Sequence, residues 1–191
     1  MREFESLLLR HEDLKDWLIA NLFSYIIGIM KTIYFAGGCF WGVEKFFSMA
    51  KGVISTRVGY ANGTSDNPTY HDLKSGLDDA SETVEIVYDE LLISLEKLLE
   101  LLLRVIDPYS VNKQGEDEGI QYRTGVYYLD KNEEKEIKEY FVKHLNPNYK
   151  VEVLPLNKFY LAEEYHQDYL NKNPNGYCHI NMAKLKDDER K

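Results

Sequence analysis

The sequence predicts a single α/β or α+β domain preceded by a helical N-terminal segment. From residue 31 onward, short β-prone runs alternate with amphipathic stretches, which is the pattern of folds that stack helices on a sheet. A chain of 191 residues is long enough for one substantial core and short for two independent ones. No internal repeat or low-complexity tract interrupts the pattern.

The elements follow in order. In the first thirty residues Phe4, Leu7, Leu8, Leu14, Leu18, Leu22 and Ile26 recur at nearly helical spacing, so residues 1–30 read as an amphipathic helical extension. Thr32 to Phe35 reads as a strand, Trp41 to Met49 as a helix ending near Gly52, and Val53 to Tyr60 as a second strand. Ala61 to Ser75, rich in Asn, Gly, Pro and Thr, reads as a long loop. Glu82 to Asp89 alternates as a strand does. Ser94 is placed to cap a helix whose inner face is Leu95, Leu98, Leu99, Leu102 and Ile106, stopped by Asp107-Pro108. After the polar loop Ser110 to Gln121 come a strand over Tyr122 to Leu129 and a helix over Asn132 to Leu145. Val151 to Leu156 reads as the last strand and Ala162 to Asn171 as the last helix, before Asn173-Pro174-Asn175-Gly176 breaks the chain.

Composition narrows the function. A net charge of −9 without a basic cluster disfavours nucleic acid, whose phosphates repel an acidic body. Residues 17–30 are uncharged but shorter than a membrane span, and the acidic residues before them do not suit a signal peptide, so no membrane association is expected. The 2 cysteines do not make a disulfide framework, and no close Cys/His cluster suggests metal. A reducing, cytoplasmic setting and a monomer are expected.

The most informative run is Gly37-Gly38-Cys39-Phe40-Trp41-Gly42-Val43-Glu44. A strand that turns on glycine and then starts a helix aims backbone N–H groups at the turn residue, which should lower the pKa of Cys39 toward the nucleophilic thiolate. The rings of Phe40 and Trp41 offer an apolar wall for something small. A buried cysteine serving as a small core hydrophobe is the other reading of the same residues.

Further blocks give this run a context. They are Asn67-Pro68-Thr69-Tyr70, Glu82 leading into Val-Glu-Ile-Val-Tyr-Asp, Asp107-Pro108, Gln114 to Arg123, and Phe159 to Gln167. In that order and spacing, residues 31–180 resemble the A-type peptide methionine sulfoxide reductases. The resemblance implies an α+β fold, a two-layer α/β sandwich of ferredoxin-like kind. It also implies an enzyme that reduces the S epimer of methionine sulfoxide, free or in proteins. By that resemblance Cys39 matches the nucleophile, and Phe40 and Trp41 match the pocket for the substrate methyl group. Tyr70 and Tyr122 match phenols that bond the sulfoxide oxygen, Glu82 matches the acid that protonates it, and Asp117 matches a carboxylate that organises the site through water and backbone. Cys178 resembles the recycling cysteine, whose disulfide with Cys39 is reduced by thioredoxin, or by dithiothreitol in vitro. No bound cofactor and no metal are implied.

The chemistry agrees with these roles, because attack on sulfur while its oxygen takes a proton needs a thiolate, an acid and hydroxyl donors. Read from the residues alone, however, Glu82 also suits a solvated strand and the two tyrosines ordinary packing. This chain departs from the family where Asp79-Ala80-Ser81 replaces the usual Gly-His-Ala, and the added charge of Asp78 and Asp79 is expected to raise the Glu82 pKa. It lacks a second tail cysteine, which excludes a two-step disulfide relay. His166 is expected to satisfy backbone or carboxylate partners. Two rival readings are a Cys–His thiol hydrolase using His166 or His179 as base, and a degenerate domain that binds methionine sulfoxide without turnover.

Overall fold

A computed structural model describes residues 30–191, together with Lys15 and Ile19, both helical; the rest of the 1–30 extension lies outside the described residues. Eight strands are described: β1 (Met30–Gly37), β2 (Val53–Ala61), β3 (Ser81–Asp89), β4 (Lys113–Gln114), β5 (Asp117–Glu118), β6 (Thr124–Tyr128), β7 (Glu152–Pro155) and β8 (Phe159–Leu161). The helices are α1 (Phe40–Ser48), α2 (Tyr70–Ser75), α3 (Leu95–Val105), α4 (Lys131–His144) and α5 (Tyr169–Lys172).

Six strands make one sheet in the order β7-β6-β1-β3-β2-β8, and β4 pairs with β5 in a separate hairpin. Within the sheet β6 and β7 run parallel, and every other pairing is antiparallel. Period-two alternation sorts the side chains of β1. Ile33 and Phe35 join Phe46, Phe47, Leu98, Leu99 and Phe141 in the main core, whereas Tyr34 and Ala36 join Ala61 and Tyr127 in a second, smaller cluster. The leucines of α3 line this core. Leu98, Leu99, Leu101 and Leu102 are fully buried, and each such side chain contributes roughly 1.5–3 kcal/mol of transfer free energy. The predicted cap is present, since the Ser94 side chain accepts from the Lys97 N–H at 3.2 Å.

Four expectations are corrected. The loop 61–75 contains α2, which starts on a capping box between Thr69 and Asp72. Val151 to Leu156 does not hold the last strand, because β8 adds to the edge of β2 through Gly59↔Leu161 and Tyr60↔Tyr160. Tyr122 lies on a 3₁₀ turn, Ile120–Tyr122, before β6 rather than within it. The helix expected over 162–171 is reduced to α5. Its upstream polar groups bond β2 instead: the Ala162 N–H reaches the Val58 carbonyl at 3.0 Å, and the Gln167 amide brackets Val58 at 3.0 and 2.8 Å. Among the described residues no helix is long and apolar enough to cross a membrane.

Register places the motif. Ala36 pairs with Thr83 and Tyr60 with Glu82, so the end of β1, the start of β3 and the end of β2 converge. Between β1 and α1 the chain turns at Gly38 with φ of +83°. A Cβ there would lie 2.6 Å from the Gln114 Cβ. Gly38→Ala should therefore lose about 3 kcal/mol, combining left-handed strain with overpacking, read as a lower urea midpoint at unchanged slope.

Candidate active site

Cys39 occupies the position just before α1 without a capping hydrogen bond from its side chain, and the residue is 7% exposed. The expected depression of its pKa is corrected. Burial, then the Glu82 carboxylate, drive the thiol far above its ordinary value, with Asp117 adding to them, and the N–H groups of Trp41 and Gly42 oppose this without reversing it. A helix N-terminus favours a thiolate, but here two carboxyl groups and a dry setting outweigh it.

Glu82, at the start of β3, is 2% exposed and accepts the Phe40 N–H through Oε2 at 3.0 Å. Burial pushes its carboxyl up to about 8, with Asp117 adding to the rise and the Phe40 N–H and Lys74 resisting it. The Glu82 charge makes Cys39 harder to ionise, so the pair holds at most one negative charge near neutral pH. Tyr70 opens α2 and Tyr122 closes the 3₁₀ turn. Burial and then the Glu82 charge raise both phenols, and each also feels Cys39. The two hydroxyls thus keep their protons and lie near enough to the acid and the sulfur to feel their charge.

Asp117, in the β4–β5 hairpin, accepts the Tyr177 hydroxyl through Oδ2 at 3.0 Å, and the same oxygen lies 3.6 Å from His179 Nδ1. The tail is therefore docked on the site. Cys178, half-buried, is a free thiol like Cys39 and donates to the Ile180 carbonyl at 3.3 Å. Its sulfur rests against α1 where Gly42 leaves room; a Cβ on Gly42 would meet it at 3.2 Å. Its other side opens on a cavity of about 270 Å³ walled by Lys45, Leu170, Asn171, Pro174, Ile180 and Met182. Among the described residues no group of three His, Cys, Asp or Glu side chains is arranged to hold a metal ion.

The family model described as peptide methionine sulfoxide reductase matches residues 31–191. The chain belongs to that family. A peptide methionine sulfoxide reductase from Malacoplasma penetrans is 52% identical over 81% of this chain and 98% of its own length. One from Lachnoclostridium phytofermentans is 58% identical over 80% of this chain and 94% of its own length. Among solved structures, reduced Mxr1 of Saccharomyces cerevisiae superposes with a TM-score of 0.73 at 33% identity, covering 81% of this chain and 92% of that one. Methionine sulfoxide reductase A of Corynebacterium diphtheriae gives a TM-score of 0.73 at 36% identity, covering 78% of each chain.

The departure ahead of Glu82 has a local explanation. Asp79 accepts the Thr64 N–H at 2.8 Å and its hydroxyl at 2.6 Å, while Asp78 accepts from Ser65 at 2.6 Å and Ala80 at 2.8 Å. Both carboxylates are thus turned into the 64–65 loop. Neither contributes to the rise at Glu82, which corrects the expectation that they would.

Trp41 is held from two sides. Its ring stacks on Tyr169 at 3.8 Å, and its indole N–H donates to His166 Nδ1 at 3.1 Å. His166 therefore serves an indole rather than the backbone or carboxylate partners expected of it. Because an indole only donates, Nδ1 must be bare and the proton sits on Nε2, which has no partner; burial lowers the His166 pKa and keeps the ring neutral. Phe40, 1% exposed, packs 5.2 Å from the His166 ring and 6.1 Å from that of Tyr60. Glu163 joins the halves by accepting the Tyr60 hydroxyl at 2.6 Å and the Tyr70 N–H at 3.0 Å.

Sequence reasoning missed Tyr60, Glu163, Tyr169, Tyr177 and the contacts of His179. Only Tyr60 carried a signal, as a strand residue one alternation step from the end of β2.

Two outcomes are expected. Glu82→Gln removes the neighbouring negative charge, so ultraviolet thiolate absorbance should show Cys39 titrating at lower pH than in the parent. His166→Phe leaves the Trp41 N–H buried without an acceptor and should cost about 1–3 kcal/mol by urea unfolding, with a shift in tryptophan emission.

Proposed function

We propose that this chain is a peptide-methionine (S)-S-oxide reductase in which the Cys39 sulfur attacks the sulfoxide sulfur while Glu82 gives its proton to the oxygen. The observation that carries this mechanism is the Glu82 carboxyl, buried against the Phe40 N–H beside Cys39 and still protonated at neutral pH. With Glu82 neutral, the carboxylate charge that most opposes the thiolate is gone while the proton donor is in place, and burial with the weaker Asp117 charge is what remains against ionising Cys39. The substrate S-methyl group sits against Phe40 and Trp41, and the hydroxyls of Tyr70 and Tyr122 donate to the oxygen. Asp117 organises the site from the hairpin. In the net step one oxygen leaves the sulfoxide and joins the Cys39 thiol, giving methionine and a sulfenic acid. Cys178 then condenses with that sulfenic acid, losing water and forming a disulfide.

Thioredoxin is the reductant we infer for that disulfide, with no bound cofactor; dithiothreitol replaces it in vitro. Mxr1 of S. cerevisiae, a relative by its reduced form, has also been solved in complex with Trx2. The cavity beside Cys178 supplies a side from which an external thiol can reach that sulfur. We read the domain as residues 31–191, the span the family model matches, acting as a cytoplasmic monomer that repairs oxidised methionine, with residues 1–30 as a helical extension. The ferredoxin-like reading is supported by β1-α1-β2-β3-α3-β6 with strands in the order β6-β1-β3-β2.

Neither rival draws support from the site. A Cys–His hydrolase needs a bare imidazole nitrogen aimed at the Cys39 thiol, yet the bare Nδ1 of His166 is taken by the Trp41 N–H and that of His179 faces the Asp117 carboxylate, its Nε2 lying on the Gly37 carbonyl at 3.2 Å. A binding domain without turnover needs no acid held protonated at neutral pH.

Supplied with dithiothreitol, the enzyme should consume S-methionine sulfoxide and leave the R epimer; turnover of neither epimer, with Cys39 reduced, sinks the reductase reading. Cys39→Ser should have no activity. As pH rises through about 8, Glu82 loses its proton and kcat/KM should fall about tenfold per pH unit, and this limb should vanish in Glu82→Gln along with most of the rate.

A further inference from the structure

The chain after Gly176 lies across the Cys39 turn and is fastened there by two side chains. The Tyr177 hydroxyl donates to Asp117 Oδ2 at 3.0 Å. The His179 ring is inserted between the end of β1 and the β4–β5 hairpin, its side chain only 6% exposed. Nε2 lies 3.2 Å from the Gly37 carbonyl and Nδ1 lies 3.6 Å from Asp117 Oδ2. The slot is cut to this ring: a Cβ on Gly38 would come within 3.2 Å of Nε2, and one on Gly115 within 3.2 Å of the His179 Cβ. A carbonyl only accepts, so Nε2 carries the proton. Nδ1 is then left buried without a partner, facing a carboxylate.

We propose that His179 is a positioning residue for recycling: donating to the Gly37 carbonyl and wedged against Asp117, it holds Cys178 against Gly42, three residues along α1 from Cys39. This rests on the reading that Cys178 resolves the Cys39 sulfenic acid. In that step the Cys178 sulfur attacks the Cys39 sulfur, the S–S bond forms as the S–O bond breaks, and the departing oxygen leaves as water with the Cys178 proton. The oxidising equivalent comes from the sulfoxide, so no other oxidant is needed. Gly37 is the second residue before Cys39, so the His179 hydrogen bond ties the tail to the same turn that carries the nucleophile. The single mismatch at Nδ1 leaves the clamp weaker than a fully bonded histidine, which suits a segment that must shift to complete a disulfide.

The test is a single turnover of the full chain with S-methionine sulfoxide and no reductant. Methionine is quantified, Cys39 sulfenic acid is trapped with dimedone, and the disulfide is counted by mass spectrometry. In His179→Ala the disulfide formed per methionine released should accumulate at least about tenfold more slowly, with the dimedone adduct taking its place, because misplacement of a reacting group by about an ångström costs that much or more. His179→Gln keeps an N–H able to reach the Gly37 carbonyl and should recover most of the parent rate. Disulfide formation at the parent rate in His179→Ala, or equal slowing in the alanine and glutamine variants, overturns the proposal. Cys178→Ser separates the two readings. If the parent already accumulates the adduct as Cys178→Ser does, Cys178 is not the resolving thiol and the underlying reading fails. If only the serine variant accumulates it, the failure belongs to His179 alone.

Discussion

The hydrogen bond from the Phe40 N–H to Glu82 is the constraint on which the rest of the site depends. A carboxyl group 2% exposed is costly to ionise, and one backbone donor does not remove that cost. The acid consequently keeps its proton where a surface glutamate has lost it. Everything nearby is arranged so that this buried group meets the α1 N-terminus. The β1–β3 register brings Ser81–Glu82 level with the Gly37-Gly38 turn, and Gly38 makes that turn at a left-handed φ. Tyr60, directly across from Glu82 on β2, closes the third side with an aromatic ring. The sulfur is thereby confined with an acid whose charge opposes its ionisation, in a buried space that disfavours negative charge on either.

The apolar wall shows a different economy, in which one tryptophan is oriented by groups remote in sequence. Trp41 takes its stacking partner from α5 and its hydrogen-bond acceptor from the turn before it. The same stretch supplies Glu163, which joins β2 to the first residue of α2 and so fixes Tyr70. Glu44 strengthens the link by accepting the Asp168 N–H at 2.9 Å, tying α1 to the start of α5. Residues 162–168 forgo helix because their polar groups are committed to β2, α1 and α2. The broken helix and the fixed Trp41 ring are two consequences of the same stretch of chain.

What the sequence made legible follows from how local the causes were. The strand-turn-helix around Cys39 depends on neighbours along the chain, as does the Ser94 cap, and both were readable from residue types. The α2 start was readable too, in the Thr69–Asp72 box, but Asn, Gly and Pro ahead of it suggested only loop. The sign of the Cys39 shift was not readable. A helix N-terminus is visible in sequence, whereas the burial that overrules it, and the two carboxyl groups that add to it, arise from packing against β3 and a hairpin. Asp78 and Asp79 misled for the complementary reason, since charge close in sequence was turned away in space. Residue roles at Glu82, Tyr70, Tyr122 and Asp117 came from family resemblance, and alternation alone left each of them an ordinary strand or loop residue.

Asp117 links the electrostatics of Cys39 to the position of the tail. Its charge acts on Cys39, Glu82 and Tyr122, and the same carboxylate receives Tyr177 and faces His179. A docked tail shields this carboxylate from water and so lengthens the reach of its charge toward the sulfur. Tail and thiol thus meet on one side chain, which receives the tail's hydrogen bond and adds to the rise at Cys39.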